Sequence, residues 1–316
     1  MAKYVTSILV LVVAVLAVAL FVRGGEVMTA LAISTTNSTI VTVNITPSQV
    51  TCSAMTCYDA DDTIDQVDLV GGYQRFVKCN ASCNAPNGWG YVNNYTGTIG
   101  RSGVSCTPAS NLDCYQNDSC YNHTAFNTTL QYIECSYLFW FNSQNTTISG
   151  SWTGSLKAGD NGGAVSPEAS DTIGVNTLLA TGVNSTLAFG SKSAATNDST
   201  CLAAQGTNVY NYGNIQMDVA VNGSAMTCNG ADNAIPAEYI HGNITPGAFY
   251  IDSYALSATL AGPDVAKSRF DVNITASATT VGPPAVTART LYWGIGIPAG
   301  VTGNCQSTIW FAAQSS

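Results

Sequence analysis

Hydrophobic positions fall into two regimes along this chain. From Val5 to Val22 they are continuous: VTSILVLVVAVLAVALFV carries no charge and only Thr6 and Ser7 as polar residues. As an α-helix, a run of this length extends about 27 Å, close to the ~30 Å apolar layer of a bilayer. Lys3 precedes it, Arg23 and Glu26 follow it, and residues 27–33 prolong its apolar character. The pattern predicts one N-terminal hydrophobic α-helix over 1–34, an anchor or filament core. A helix apolar on every side must be covered all round, by lipid or by protein. Three readings follow: a secretory signal cut after Ala17-Val18-Ala19 or Ala30-Leu31-Ala32, an uncleaved anchor, or a helix that packs with its own copies.

Beyond residue 34 the period changes to two. Ile40, Val41, Val43 and Ile45 are β-branched among polar neighbours, which predicts the first strand of a sheet domain. An extended segment over 35–47 is also of the kind that completes a sheet in a neighbouring subunit. Residues 48–130 are dense in Cys, Gly, Asn and Pro and read as turns with short strands such as 74–77. Residues 130–141, LQYIECSYLFWF, read as a long aromatic strand and the core of that domain. The next segment places Ile148, Trp152, Gly154 and Leu156 on one face, and Asp160-Asn161-Gly162-Gly163 signals a turn. In the second half, 215–222, 270–275, 291–297 and 308–312 read as strands, with Asn222-Gly223 as a turn. Turn signals every 8–12 residues or so are those of an antiparallel sandwich. The predicted class is mainly β, with domains at 35–177 (Cys-rich) and 178–316 behind the helix.

Composition changes this picture in two ways. Only 9% of residues are charged and the net charge is −9, which disfavours nucleic acid as a partner. Such a surface needs another source of hydration. Thirteen Asn-x-Ser/Thr sequons supply a candidate, against about five expected by chance. Those at Asn37, Asn80, Asn94, Asn117, Asn122, Asn127, Asn145, Asn184, Asn197, Asn222 and Asn273 are read as glycosylation sites. Asn44 and Asn243, each followed closely by Thr-Pro, are poorer acceptors. Eleven cysteines point to an oxidising compartment. Cys52, Cys57, Cys79, Cys83, Cys106, Cys114, Cys120 and Cys135 lie in the first half. Cys228 and Cys305 complete the expected disulfide set, and Cys201 makes the total odd. Connectivity among eight cysteines has 105 solutions and is left open.

The densest chemistry is Asp59, Asp61, Asp62 and Asp65 in DADDTID. Four carboxylates can contribute to the ~6–8 oxygen ligands of Ca²⁺, though the spacing is not that of an EF-hand loop. Otherwise no cofactor is expected. His123 and His241 read as exposed loop residues rather than ligands, and no nucleophile, P-loop or dinucleotide motif is present. Trp89, Trp140, Trp152, Trp293 and Trp310 fit a sandwich core or an interface better than a sugar-stacking face.

Two segments carry a resemblance. Residues 149–162, SGSWTGSLKAGDNG, resemble the late-strand region of immunoglobulin-like domains in archaeal exported surface proteins. Residues 291–305, LYWGIGIPAGVTGNC, are similar to the last hairpin of a second such domain. The layout of one apolar helix ahead of β modules is similar to archaeal pilin-like filament subunits. The resemblance implies two Ig-like sandwiches and a structural role at the cell surface, and the lack of catalytic motifs adds the expectation of a non-enzymatic, extracellular protein. The expectation is a glycosylated filament or coat of self-assembled copies that meets a membrane during export. The alternative is a membrane-anchored adhesin or S-layer component that binds surface glycans.

Overall fold

The computed structural model describes residues 28–33, 38–43, 48–86, 88, 92–106, 110, 112–117, 119–125, 129–161, 163–184, 186–195, 200–201, 205–230, 234–248, 254–255 and 269–316. The described fold is built almost wholly from antiparallel strands. The expected N-terminal helix over 1–34 is corrected. Residues at its C-terminal end form strand β1 (Met28–Ile33), which pairs antiparallel with β2 (Ser38–Val43), Leu31 opposite Ile40 and Met28 opposite Val43. The β-branched residues of β2 favour extended backbone and a cross-strand partner. The run 5–22 lies outside the described residues. Among those described, no helix is long and apolar enough to cross a membrane. Ile148, expected in a strand, belongs instead to the helical turn Thr146–Ser149. The β1–β2 ribbon forms a two-stranded sheet of its own rather than the first strand of a sandwich sheet.

The first sandwich uses β3 (Thr51–Asp59), β4 (Gln66–Val67), β5 (Gln74–Asn84), β6 (Val92–Arg101), β7 (Cys114–Gln116), β8 (Ser119–Ala125), β9 (Leu130–Trp140), β10 (Trp152–Asp160) and β11 (Ala169–Val175). One sheet has the order β3-β5-β9-β8 and the other β4-β11-β10-β6-β7. Only β4 runs parallel to its neighbour, β11. In chain order this is an ABED sheet facing a GFC sheet with a strand added at each edge, β4 beside β11 and β7 beside β6, the immunoglobulin-type Greek key. Residues 48–130 therefore hold long strands where short ones were expected: β5 spans 11 residues. Its inward positions are Val77, Cys79, Ala81 and Cys83, all fully buried. Cysteine and alanine fill the places of large aliphatics, so the alternation is real but weakly hydrophobic in sequence.

Trp152, Tyr137, Phe139, Ile99, Ile133 and Leu156 are completely buried between the two sheets. Tyr115 stacks on Phe139 with ring centroids 4.2 Å apart, and Phe139 lies 5.2 Å from Trp152. Trp152 Nε1 donates to the Gln144 carbonyl at 2.9 Å, which satisfies the one polar atom of the ring.

The second sandwich uses β12 (Thr181–Val183), β13 (Thr200–Cys201), β14 (Gly206–Asn211), β15 (Met217–Gly223), β16 (Met226–Cys228), β17 (Ala234–Ile235), β18 (Ile240–Asn243), β19 (Gly247–Ala248), β20 (Tyr254–Ala255), β21 (Arg269–Ile274), β22 (Thr287–Ile295), β23 (Cys305–Gln306) and β24 (Ile309–Ser315). The order β12-β14-β22-β18-β20 packs over β21-β15-β24, around Trp293, Phe270, Met217, Val219 and Leu291. Asn222, expected in a turn, sits inside β15 opposite Trp310.

Asparagines join the two sandwiches. Asn214 Nδ2 donates to the carbonyls of Ser143 and Asn176, each at 3.0 Å, while its Oδ1 accepts from Leu178 N at 2.7 Å. Asn142 Nδ2 donates to the carbonyls of Ser277 and Thr279 at 3.3 and 3.0 Å. Both asparagines are buried, and Phe141 meets Tyr212 edge-on beside them. Gly213 is needed here, because a Cβ would run into the Leu178 carbonyl.

Candidate functional site

Ten cysteines form five disulfides: Cys52–Cys83, Cys57–Cys79, Cys106–Cys114, Cys120–Cys135 and Cys228–Cys305. Four of the five join directly opposed residues of neighbouring strands. In the first sandwich they line up. Cys57, Cys79, Cys135 and Cys120 form one continuous row across β3, β5, β9 and β8, because Cys79 also stands opposite Cys135. The facing sheet makes room with glycine. An ideal Cβ on Gly154 would fall 2.7 Å from Cys57 Sγ and 3.3 Å from Cys79 Sγ, and one on Gly97 3.0 Å from Cys135 Sγ. Cys201, the eleventh cysteine, lies in β13.

The other face of this sheet carries the most concentrated polar and aromatic chemistry among the described residues. Strand alternation directs Tyr58 from β3, Phe76, Lys78 and Asn80 from β5, Tyr132, Glu134 and Ser136 from β9, and Tyr121 from β8 outward together. Asn80 stands opposite Glu134, and Glu134 opposite Tyr121. Glu134 is only 3% exposed, whereas Phe76, Tyr121 and Tyr132 are 50%, 44% and 37% exposed. The hydroxyls of Tyr58 and Tyr121 donate to Glu134 Oε2 and Oε1 at 2.7 and 2.5 Å, and Lys78 Nζ lies 3.1 Å from Oε1. The Asn80 side chain acts on the Tyr58 hydroxyl as well, and works to lower its pKa. Burial alone would raise the Glu134 carboxyl, but the donors Tyr121, Tyr58 and Lys78 outweigh it and hold the group below its ordinary range. Burial and then the Glu134 carboxylate push the Tyr58 hydroxyl up. One carboxylate therefore pins two tyrosine rings in fixed positions on a half-exposed surface. Sequence reading passed over Glu134; its signal was a lone acid inside the apolar strand YIECSYLF.

The acidic loop is arranged differently. Asp59 is fully buried, accepts from Asp61 N and Asp68 N at 2.9 and 3.2 Å, and pairs with Arg75 at 3.1 Å. Burial raises its carboxyl; the two N–H donors and Arg75 together lower it further than that. Asp61 pairs with the same guanidinium. Asp65 faces Asp171, and burial followed by that like charge raises its carboxyl. Asp62 is exposed on a left-handed turn residue. The four expected calcium ligands thus divide between Arg75, Asp171 and solvent. Among the described residues no group of three or more potential metal ligands converges.

Both histidines lie in strands rather than loops: His123 in β8 and His241 half-buried in β18, where burial lowers its pKa. The sequons divide by burial. Asn94, Asn184 and Asn273 are exposed, and Asn80 and Asn117 half-buried. Asn145, Asn222 and Asn243 are buried, so a sugar there would have to displace the core. Asn122 lies in β8. Asn37, Asn44, Asn127 and Asn197 lie outside the described residues, as does Trp89. Trp152 and Trp293 are core, Trp140 is half-buried, and Trp310 is exposed on β24.

No family model matches the chain, and no curated protein does. Among solved structures, the C-terminal domain of the AgI/II polypeptide BspA of Streptococcus agalactiae is 10% identical, covering 84% of this chain and 100% of that one, with a TM-score of 0.18. An Escherichia coli alpha-2-macroglobulin activated by porcine elastase is 11% identical, covering 87% of this chain and 23% of that one, with a TM-score of 0.22. A likeness at this level assigns neither fold detail nor function.

Proposed function

We propose that this protein is an extracellular structural subunit, a building block of a surface coat or filament that acts by contact and not by catalysis. The observation that carries this reading is the stapling of β3. Tension passed along the chain reaches β3 as the first strand of the first sandwich, and two bridges, Cys52–Cys83 and Cys57–Cys79, fix it to β5. Hydrogen bonds alone would let an edge strand peel; covalent rungs oppose that. Five disulfides fit an oxidising compartment outside the cytosol. The buried asparagines between the sandwiches favour a rigid rod over a flexible tether. The resemblance to archaeal surface proteins points the same way.

Electron microscopy of the protein isolated from its native surface tests the reading. Ordered arrays or filaments are expected; monodisperse monomers at high concentration would overturn it. A second reading, an adhesin that binds carbohydrate, is favoured by the exposed rings of Phe76, Tyr121 and Tyr132. A glycan array with no hits would remove it.

A further inference from the structure

We propose that Asn80 carries an N-linked sugar whose first ring lies on the aromatic face around it, so that the protein's own glycan covers this sheet. The inference needs export but is independent of assembly. Three observations converge on one residue. First, Asn80-Ala81-Ser82 is a sequon placed in the interior of β5, not in a loop. Second, alternation turns Asn80 to the outer face, where it is half-buried rather than enclosed like Asn145 or Asn222. Third, aromatic rings flank it on both sides. Tyr58 stands opposite Lys78, one same-face position away on β3, and Tyr132 stands opposite Ser82 on β9. Tyr121 follows across Glu134.

The chemistry fits a pyranose. Its axial C–H groups stack on ring faces, and its hydroxyls exchange hydrogen bonds with a carboxylate, an ammonium and Tyr hydroxyls. These are the groups gathered here, and Glu134 holds two of the rings rigid before any ligand arrives. The amide also suits the linkage. A glycosylated Nδ2 keeps one N–H, so the amide can still donate to a neighbour such as the Tyr58 hydroxyl, on which the Asn80 side chain acts. The donor is an oligosaccharide on a lipid diphosphate. The nitrogen lone pair forms the bond to sugar C1, the C1–O bond breaks, the diphosphate leaves with the electron pair, and Nδ2 gives up one proton. The transfer precedes folding, while the strand is still open.

The test is peptide mass spectrometry of the full chain from its native host or a glycosylating relative, with two sequon variants. Ser82→Thr keeps the acceptor and Ser82→Ala removes it without touching Asn80. The expected result is a sugar mass on Asn80 in the wild type and Ser82→Thr, and none in Ser82→Ala. The melting gap between Ser82→Thr and Ser82→Ala should also be a few degrees wider in glycosylated than in unglycosylated protein, and that excess should close when Tyr132→Ala is added. An unmodified Asn80 in a preparation where Asn94 or Asn273 is occupied overturns the proposal. So does an occupied Asn80 whose loss leaves the melting temperature unchanged, because the sugar would then not pack on the face. Binding of free glycans by wild type with an unmodified Asn80 would also overturn it, in favour of an adhesive face.

Discussion

Replacing Gly154 by alanine tests whether the row of disulfides, and not general crowding, sets the composition of the facing sheet. The new Cβ would sit 2.7 Å from Cys57 Sγ, 2.9 Å from Met55 Cε and 3.3 Å from Cys79 Sγ. The Met55 methyl is the end of a flexible side chain and can swing away. The sulfurs cannot, because the bridge ties two buried strand positions whose Cα atoms are 4.1 Å apart. Strand β10 must therefore move outward against β6 and β11. Overpacking of this kind costs about 1–3 kcal/mol, and a central value of about 2 kcal/mol is expected. For a sandwich of this size that lowers the melting temperature by about 8 °C. Gly159→Ala is the control on the same strand, since its Cβ would meet only ordinary contacts from 3.5 Å outward. Gly159 is also buried, but a methyl there makes only ordinary van der Waals contacts, so it should shift stability by less than about 0.5 kcal/mol. The decisive comparison adds Gly154→Ala to a Cys57→Ala/Cys79→Ala background. With both sulfurs gone most of the penalty should vanish, giving a coupling of about 1.5 kcal/mol. Non-reducing urea melts followed by near-ultraviolet circular dichroism read all five proteins: wild type, the two glycine variants, the Cys57→Ala/Cys79→Ala background and its Gly154→Ala derivative. Equal effects of the two glycine substitutions, or an undiminished penalty without the sulfurs, would refute the reasoning.

Further outcomes follow from other buried groups. The Tyr137 hydroxyl is buried with no hydrogen-bond partner among the described residues, so Tyr137→Phe should leave stability unchanged or raise it by up to about 1 kcal/mol in denaturant titrations. Asn214→Ala strands the Ser143 and Asn176 carbonyls and the Leu178 N–H, and should cost about 2–4 kcal/mol while small-angle scattering reports a looser pair of sandwiches. Glu134 has a folded pKa held below its usual 4.5, so the stability it contributes is complete above that pH and lost as pH falls through the lower folded value. Melting temperatures from pH 7 to 2 should therefore decline less steeply in Glu134→Gln than in wild type. Loss of Cys228–Cys305, which spans 77 residues, should destabilise the second sandwich by about 4 kcal/mol, seen as an early separate transition.

Much of the strand content was legible before any coordinates. The β9 run, the Trp152–Gly154–Leu156 face and the turn at Asp160 depend on local alternation and turn chemistry, which the sequence carries directly. Strand β5 was cut short because Cys79, Ala81 and Cys83 do not look like a buried face until they are paired. Asn145 and Asn222 read as acceptor sites because a sequon is a three-residue pattern, whereas burial depends on strands far away in the chain.

By itself, the sequence determined the β class and the surplus of cysteine and asparagine, since these follow from composition and short-range periodicity. Tertiary structure decided what those residues do. Register across four strands turned scattered cysteines into a row and placed Asn80 beside Glu134 and two tyrosines. It also divided the acidic loop between Arg75 and Asp171. Alternation defines two faces of a strand, but only pairing with distant strands settles which neighbours each face receives.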